Sequence, residues 1–230
     1  MTKKILISLA PLLVVAAFAI TATAAQAEPH WYRCEAKAAG GFHDPDCTET
    51  AGTKLFAQTR LPFTSEKFPI ATYGILDLSN TTLGTITCHV VDEGNIWNTT
   101  LAAAGKDEVT LFINSSCVSS PSCPGITVTG LRKGSPLSET NAWPTHLIPG
   151  PPIRDAIEEI EIKVVCPGVV ETVFAGTLTP KVVNGSPSYI EFDAPGSGHL
   201  TSTLVGEGVP SGKDFVAEQA TGDNIDVLNP

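Results

Sequence analysis

Two stretches of this chain alternate strictly between apolar and polar residues, and each places a cysteine on its apolar side. In GTITCHVV, Ile86, Cys88 and Val90 fall on one side and Thr85, Thr87 and His89 on the other. In IEEIEIKVVC, Ile160, Ile162, Val164 and Cys166 oppose Glu159, Glu161 and Lys163. Successive side chains of a strand point to opposite faces, so each pattern describes a half-buried β-strand. Helical periodicity is nearly absent elsewhere. Thr, Val, Ile and Gly dominate, and turn residues recur at the spacing expected of many short antiparallel strands. The fold class that follows is all-β: an antiparallel β-sandwich or barrel-like domain.

Further strands are expected in TKLFAQTR, ATYGILDL, DEVTLFINS, GITVTG, VVETVFAGTLT, SYIEFD and HLTSTLVG. NTTLG, VSSPSCPG, LIPGPPIRD, VNGSPS and DAPGSG read as connectors through their Gly, Pro, Asn and Ser. LIPGPPIRD is too rich in proline for a central strand.

The chain opens on MTKK, an apolar run from Ile5 to Ile20, and an Ala25-Gln26-Ala27 exit. This order is that of a secretory signal peptide, with cleavage expected after Ala27. No later segment is apolar enough to span a bilayer, no cysteine follows the cleavage point to carry a lipid, and LPFTS (61–65) lacks the apolar tail of a sorting signal. Removing residues 1–27 from 230 leaves 203, enough for one well-buried core. Lys3 and Lys4 leave with the signal, so 12 basic side chains face 24 acidic ones. Such an acidic surface without a Lys/Arg cluster repels phosphate backbones, which argues against nucleic-acid binding. The expected organisation is a signal peptide over 1–27, a stapled N-terminal lobe over 28–52, and a β domain over 53–230.

All six cysteines lie beyond the signal, and an even set in an exported chain reads as disulfides. Six cysteines allow fifteen pairings. Cys88 and Cys166 both face the core, which makes a bridge across it the expected arrangement, worth ~4 kcal/mol for a loop of nearly eighty residues. Cys117 and Cys123 bracket a short loop, and Cys34 and Cys47 remain to close the opening stretch.

That stretch, WYRCEAKAAGGFHDPDC, sets His43, Asp44, Asp46 and Cys47 close together like metal ligands. A disulfide would remove Cys47 as a ligand, no EF-hand spacing is present, and DPD is good turn chemistry. No metal or cofactor site is therefore assigned. The histidines His30, His43, His89, His146 and His199 form no close metal spacing. GSGH (196–199) is not a nucleophile elbow. Glu158, Glu159 and Glu161 invite a glycosidase reading, because Glu159 and Glu161 would lie ~7 Å apart along one face. Alternating Glu on an outer face is also ordinary edge protection. No catalytic residue is assigned. Trp31 and Tyr32 either pack the lobe onto the sheet or offer an aromatic contact to a partner.

Cys88, Trp97 and Cys166 echo the Cys…Trp…Cys order of immunoglobulin sandwiches, with Val164 where that fold has its tyrosine. N-x-S/T sequons stand at Asn80, Asn98, Asn114 and Asn184. WYRC and DPDC, then GTITC, SCVSSPSC and IKVVC, give a cysteine order that resembles uncharacterised exported β-rich proteins of high-GC Gram-positive bacteria. The resemblance covers most of 31–230 and implies a secreted, disulfide-bonded β protein. It brings no activity and no catalytic residue. The chain departs from it after Cys47, where TETAGTKLF replaces a Lys- and Gly-rich run.

The expected function is a non-enzymatic binding or structural module, secreted or at the cell surface, with an unknown extracellular ligand. The alternatives are a polysaccharide-acting hydrolase with carboxylates from separate strands, or a carrier of a small apolar ligand inside a barrel.

Overall fold

The computed structural model describes residues 27–120, 123–193 and 195–229. The expected signal peptide falls outside them, except for Ala27. The strands in chain order are β1 (His30–Ala36), β2 (Phe56–Arg60), β3 (Phe68–Asn80), β4 (Gly84–Trp97), β5 (Lys106–Ser120), β6 (Thr127–Arg132), β7 (Ser135–Pro136), β8 (Trp143–Ile148), β9 (Arg154–Cys166), β10 (Val170–Leu178), β11 (Lys181–Val183), β12 (Tyr189–Glu191), β13 (Leu200–Ser202), β14 (Gly206–Glu218) and β15 (Ile225–Leu228).

Eight of them close an antiparallel barrel in the order β3–β4–β5–β8–β9–β11–β12–β14, with β14 returning to β3. The long strands β9 and β14 serve two neighbourhoods. Arg154 to Ile157 of β9 pair with β8, and Glu161 to Val165 pair with β6. Gly206 to Gly208 of β14 pair with β13, which reaches β9 through β10. The strand β14 was not legible as one. Gly206, Gly208, Pro210 and Gly212 give it little β-propensity, and eleven paired positions against β3 hold it in place.

The alternation places side chains as expected until a bulge reverses it. Ile86, Cys88 and Val90 of β4, and Ile160, Val164 and Cys166 of β9, are buried, while His89 is exposed. In β9, Gly176 pairs with Ile160 but Leu178 pairs with Ile157, so one extra residue is inserted at Glu158–Glu159, where Glu159 has φ 53°. Below that bulge the odd-numbered Asp155 and Ile157 turn inward instead. In β5, Val109 pairs with Gly94 and Leu111 with Glu93, which makes Thr110 the extra residue.

A second, three-stranded sheet, β15–β1–β2, is stapled by the Cys34–Cys47 disulfide and packs on one end of the barrel. Two apolar clusters result. One fills the barrel around Leu78, Val90, Trp143, Ile160, Val164 and Phe174. The other joins Trp31 and Val227 of the small sheet to Ile70, Ile96, Leu147 and Val216 of the barrel.

The remaining two disulfides correct the expected pairing. Cys88 bonds Cys117 and Cys123 bonds Cys166, so neither the bridge between Cys88 and Cys166 nor the short loop between Cys117 and Cys123 exists. Register explains the first. Thr87 pairs with Val118 and His89 with Ser115, which leaves a bulge in β5 directly across from Cys88, and Cys117 lies in it. Both cysteines are buried, but β4 and β9 are separate staves, with β5 and β8 between them on one side.

Candidate functional site

Six side chains form a polar belt inside the barrel, one from each of six consecutive staves. The order is Asp214 (β14), Thr72 (β3), Asp92 (β4), Asp107 (β5), Thr145 (β8) and Asp155 (β9). None is more than 9% exposed. The belt consists of two copies of one pattern. Thr72 pairs directly with Asp92 on one side and with Val216 on the other, two residues beyond Asp214. Thr145 pairs directly with Asp107 on one side and with Ile157 on the other, two residues beyond Asp155. Each threonine thus stands between one aspartate straight across and one on the diagonal, within side-chain reach. The Thr72 hydroxyl donates to Asp214 Oδ2 at 2.8 Å.

The belt lies at the seam of the two apolar clusters. Along β3 the inward order is Ile70, Thr72, Leu76; along β8 it is Leu147, Thr145, Trp143; from the residue before β9 into the strand it is Ile153, Asp155, Ile157. Burial penalises ionisation and raises all four carboxyls above their ordinary value of 3.8. Desolvation and the Asp214 charge lift Asp92 well above it, and desolvation and Asp107 do the same to Asp155. Burial pushes Asp107 up to about 7 and Asp214 to about 6. Within each pair the more strongly raised member, Asp92 beside Asp214 and Asp155 beside Asp107, is the one that keeps its proton. The cavity they line, of about 100 Å³, has no Lys, Arg or His in its wall.

Asp107 and Glu108 also border a larger cleft, of about 560 Å³, outside the β5–β8 wall. Trp97, Lys106, Arg132, Glu139, His146 and Glu158 contribute to its walls, and Thr145 to its floor. Lys67 sits 5.1 Å over the Trp97 ring and 2.6 Å from Glu108, which also accepts from Asn95 Nδ2 at 2.8 Å. Arg132 holds Glu159 at 2.6 Å, and His146 Nδ1 is 4.0 Å from Glu158.

No protein-family profile, curated protein or solved structure matches the chain. Among the described residues no group of three or more His, Cys, Asp or Glu is placed to hold a metal ion, and no helix is long and apolar enough to cross a membrane.

The residues singled out in the sequence have other duties. Asp44 accepts from the backbone N–H groups of Thr48 and Glu49 and from the Thr48 hydroxyl, which closes the loop before Gly52. Asp46 accepts from Ser186, His43 Nδ1 contacts the Thr53 carbonyl at 3.1 Å, and Cys47 is in its disulfide. Glu159 and Glu161 tie down the β6–β7 turn, through Arg132 and the Gly134 N–H respectively. Trp31 is 2% exposed and donates from Nε1 to the Lys106 carbonyl at 3.0 Å, so it packs the small sheet onto the barrel rather than meeting a partner. Tyr32 is half-buried. All four sequon asparagines donate side-chain hydrogen bonds to backbone carbonyls, and Asn80 and Asn98 are buried.

The belt itself escaped the sequence reading, although a signal for it existed. The alternation of GTITCHVV runs on through DEGNIW, in phase from Val90 through Asp92 to Ile96. An acid in phase with a buried apolar row is a buried acid. Asp214 precedes Val216 in the same phase, and Asp107 precedes Val109.

Proposed function

We propose that this protein is a non-enzymatic, exported binding module whose ligand sits in the cleft bordered by Trp97, Arg132, Glu139, His146 and Glu158. The cleft carries the reading. Its volume of about 560 Å³ lies within the ~300–1,000 Å³ of small-molecule pockets, whereas the interior cavity of about 100 Å³ lies well below it. On that comparison the cleft is favoured over the interior as the seat of a ligand. An indole beside hydrogen-bonding groups of both charges suits a polar, polyhydroxylated ligand such as a saccharide. Three disulfides and the N-terminal signal support export.

A polysaccharide-acting hydrolase has one observation in its favour: Asp107 borders the cleft with its carboxyl pushed up to about 7, in the range of a general acid. Against it, Asp107 is only 6% exposed. Calorimetric titration with soluble oligosaccharides, run beside a reducing-end release assay, separates the readings. Binding that weakens at least tenfold in Trp97→Ala, with no release, supports the module. Release of reducing ends that Asp107→Asn abolishes establishes the hydrolase instead.

A further inference from the structure

We infer that the two aspartate pairs, Asp92–Asp214 and Asp107–Asp155, are proton-sharing clamps that hold the barrel closed in acid and loosen it as pH rises. The inference rests on placement. Four carboxyls are buried at the seam between two apolar clusters, on four of six adjacent staves, and the threonines on the other two stand between the members of each pair.

The groups that face the belt offer no counter-charge. Asp77 of β3, Glu93 of β4 and Glu108 of β5 reach the cavity wall, and each is acidic. The parts of β6, β8, β10 and β12 in that wall contribute no titratable side chain. Asp107 borders the outer cleft, where Lys106 also stands, Arg132 is taken by Glu159 and His146 lies beside Glu158; Lys181 and Lys213 flank the strands in ion pairs with Glu191. In the small sheet, Asp226 of β15 is occupied by Gln58, Ser188 and Asn224. With no cation to face, a buried carboxyl pair persists only if a proton is shared within it. Loss of that proton sets two like charges side by side in an apolar seam and invites water between the clusters.

The sign follows from linkage. The folded protein binds these protons more tightly than the unfolded chain, so stability from the belt is fully present below about pH 4. It declines as pH rises through the folded values of Asp214, about 6, and Asp107, about 7, and is gone once the protons held by Asp92 and Asp155 also leave, at higher pH.

The test is the urea midpoint from about pH 4 to pH 8 for wild type and for the Asp92→Asn, Asp155→Asn double variant. Asparagine keeps a donor for each partner aspartate and removes one titration per pair. A wild-type midpoint that falls with pH, and a double variant that loses most of that fall, is the expected result. A flat wild-type profile, or an undiminished fall in the double variant, overturns the inference. Infrared spectroscopy of the wild-type protein in D2O near pH 5.5 decides the matter if the variant does not fold. A buried carboxylic-acid C=O band supports shared protons, and its absence overturns them. Addition of Ca2+ or Mg2+ near pH 8 is the control. A metal-dependent rise in the wild-type midpoint that the double variant lacks shows that the pairs take a cation, not a proton, and the inference fails.

Discussion

Asn98 takes the place of a strand neighbour for Trp31. Its Oδ1 accepts from the Trp31 N–H at 3.0 Å, and its Nδ2 donates to the Trp31 and Leu61 carbonyls, each at 3.0 Å. The side chain is fully buried and links the end of β4 to the first strand of the small sheet. Trp31 is thereby held with its ring against Gly105 and Leu147. Truncating Asn98 to Ala strands the Trp31 N–H and the Leu61 carbonyl in a dry interface, while the Trp31 carbonyl keeps the Leu61 N–H at 3.0 Å. At ~1–3 kcal/mol for each unsatisfied group, tempered by relaxation, a loss of roughly 3 kcal/mol is expected in urea denaturation. The same burial means that Asn98, although in a sequon, should carry no glycan when the folded protein is made in a glycosylating host.

Non-reducing peptide mapping should recover Cys34–Cys47, Cys88–Cys117 and Cys123–Cys166. Because Cys88 and Cys117 share one bond, Cys88→Ala and Cys117→Ala should destabilise alike. The loops closed by the second and third bridges span 29 and 43 residues. Chain entropy gives roughly 3.5 and 4 kcal/mol, so the two bridges should differ by only about half a kcal/mol. A peptide joining Cys88 to Cys166 would contradict the fold.

The gap between that scheme and the expected one shows what a single sequence exposes. Period-two alternation identifies the buried face of β4 and of β9, and it does so correctly for Cys88, Cys166, Ile160 and Val164. It says which side a residue faces, not which strand stands beside it. Pairing follows from register, and register here is set by bulges at Thr110, opposite Cys88, and at Glu159, none of which leaves a periodic trace. The Glu159 bulge also hid Asp155, which sits out of phase with Ile160. Asp214 was hidden differently, on a strand whose glycines and proline read as a connector. Asp92 and Asp107 stand in phase with buried apolar neighbours, but a charge interrupts an apolar row, so alternation alone does not place them inside.

Gly74 offers a test of how tightly the staves beside the belt approach. A Cβ at this position would lie 2.0 Å from the Lys213 carbonyl oxygen and 3.1 Å from Asp214 Cα. Both are backbone atoms, so no side-chain rotation relieves the clash, and β3 must separate from β14 at the position paired with Asp214. Gly74→Ala should therefore cost more than the ~1–3 kcal/mol typical of overpacking. In hydrogen exchange the loss of protection should centre on Tyr73 to Ile75 and Lys213 to Phe215. Gly134→Ala is a control for the substitution itself, since a Cβ there meets no atom within 4 Å. Gly134 has a positive φ of 73°, so its cost should be confined to local backbone strain in the β6–β7 turn.

The acid limb of the stability profile should belong to Asp44, opposite in sign to the belt. Desolvation nudges the Asp44 carboxyl up, but hydrogen bonds from the Glu49 and Thr48 N–H groups and the Thr48 hydroxyl outweigh it and hold the group down at about 2. A lowered folded value means that the unfolded chain binds the proton more tightly. The contribution is present above the ordinary value of 3.8 and is lost as pH falls toward 2. Asp44→Asn should make the profile shallower below about pH 4, with the part from Glu159, held low by its hydrogen bond from Arg132, remaining, and should leave the fall above it unchanged. The Asp92→Asn, Asp155→Asn variant should do the reverse. Wild-type stability should therefore peak near pH 4, and thermal unfolding of the three proteins across about pH 2 to pH 8 separates the limbs. An Asp44→Asn profile with its acid limb intact would show that some other carboxylate holds the protein together in acid.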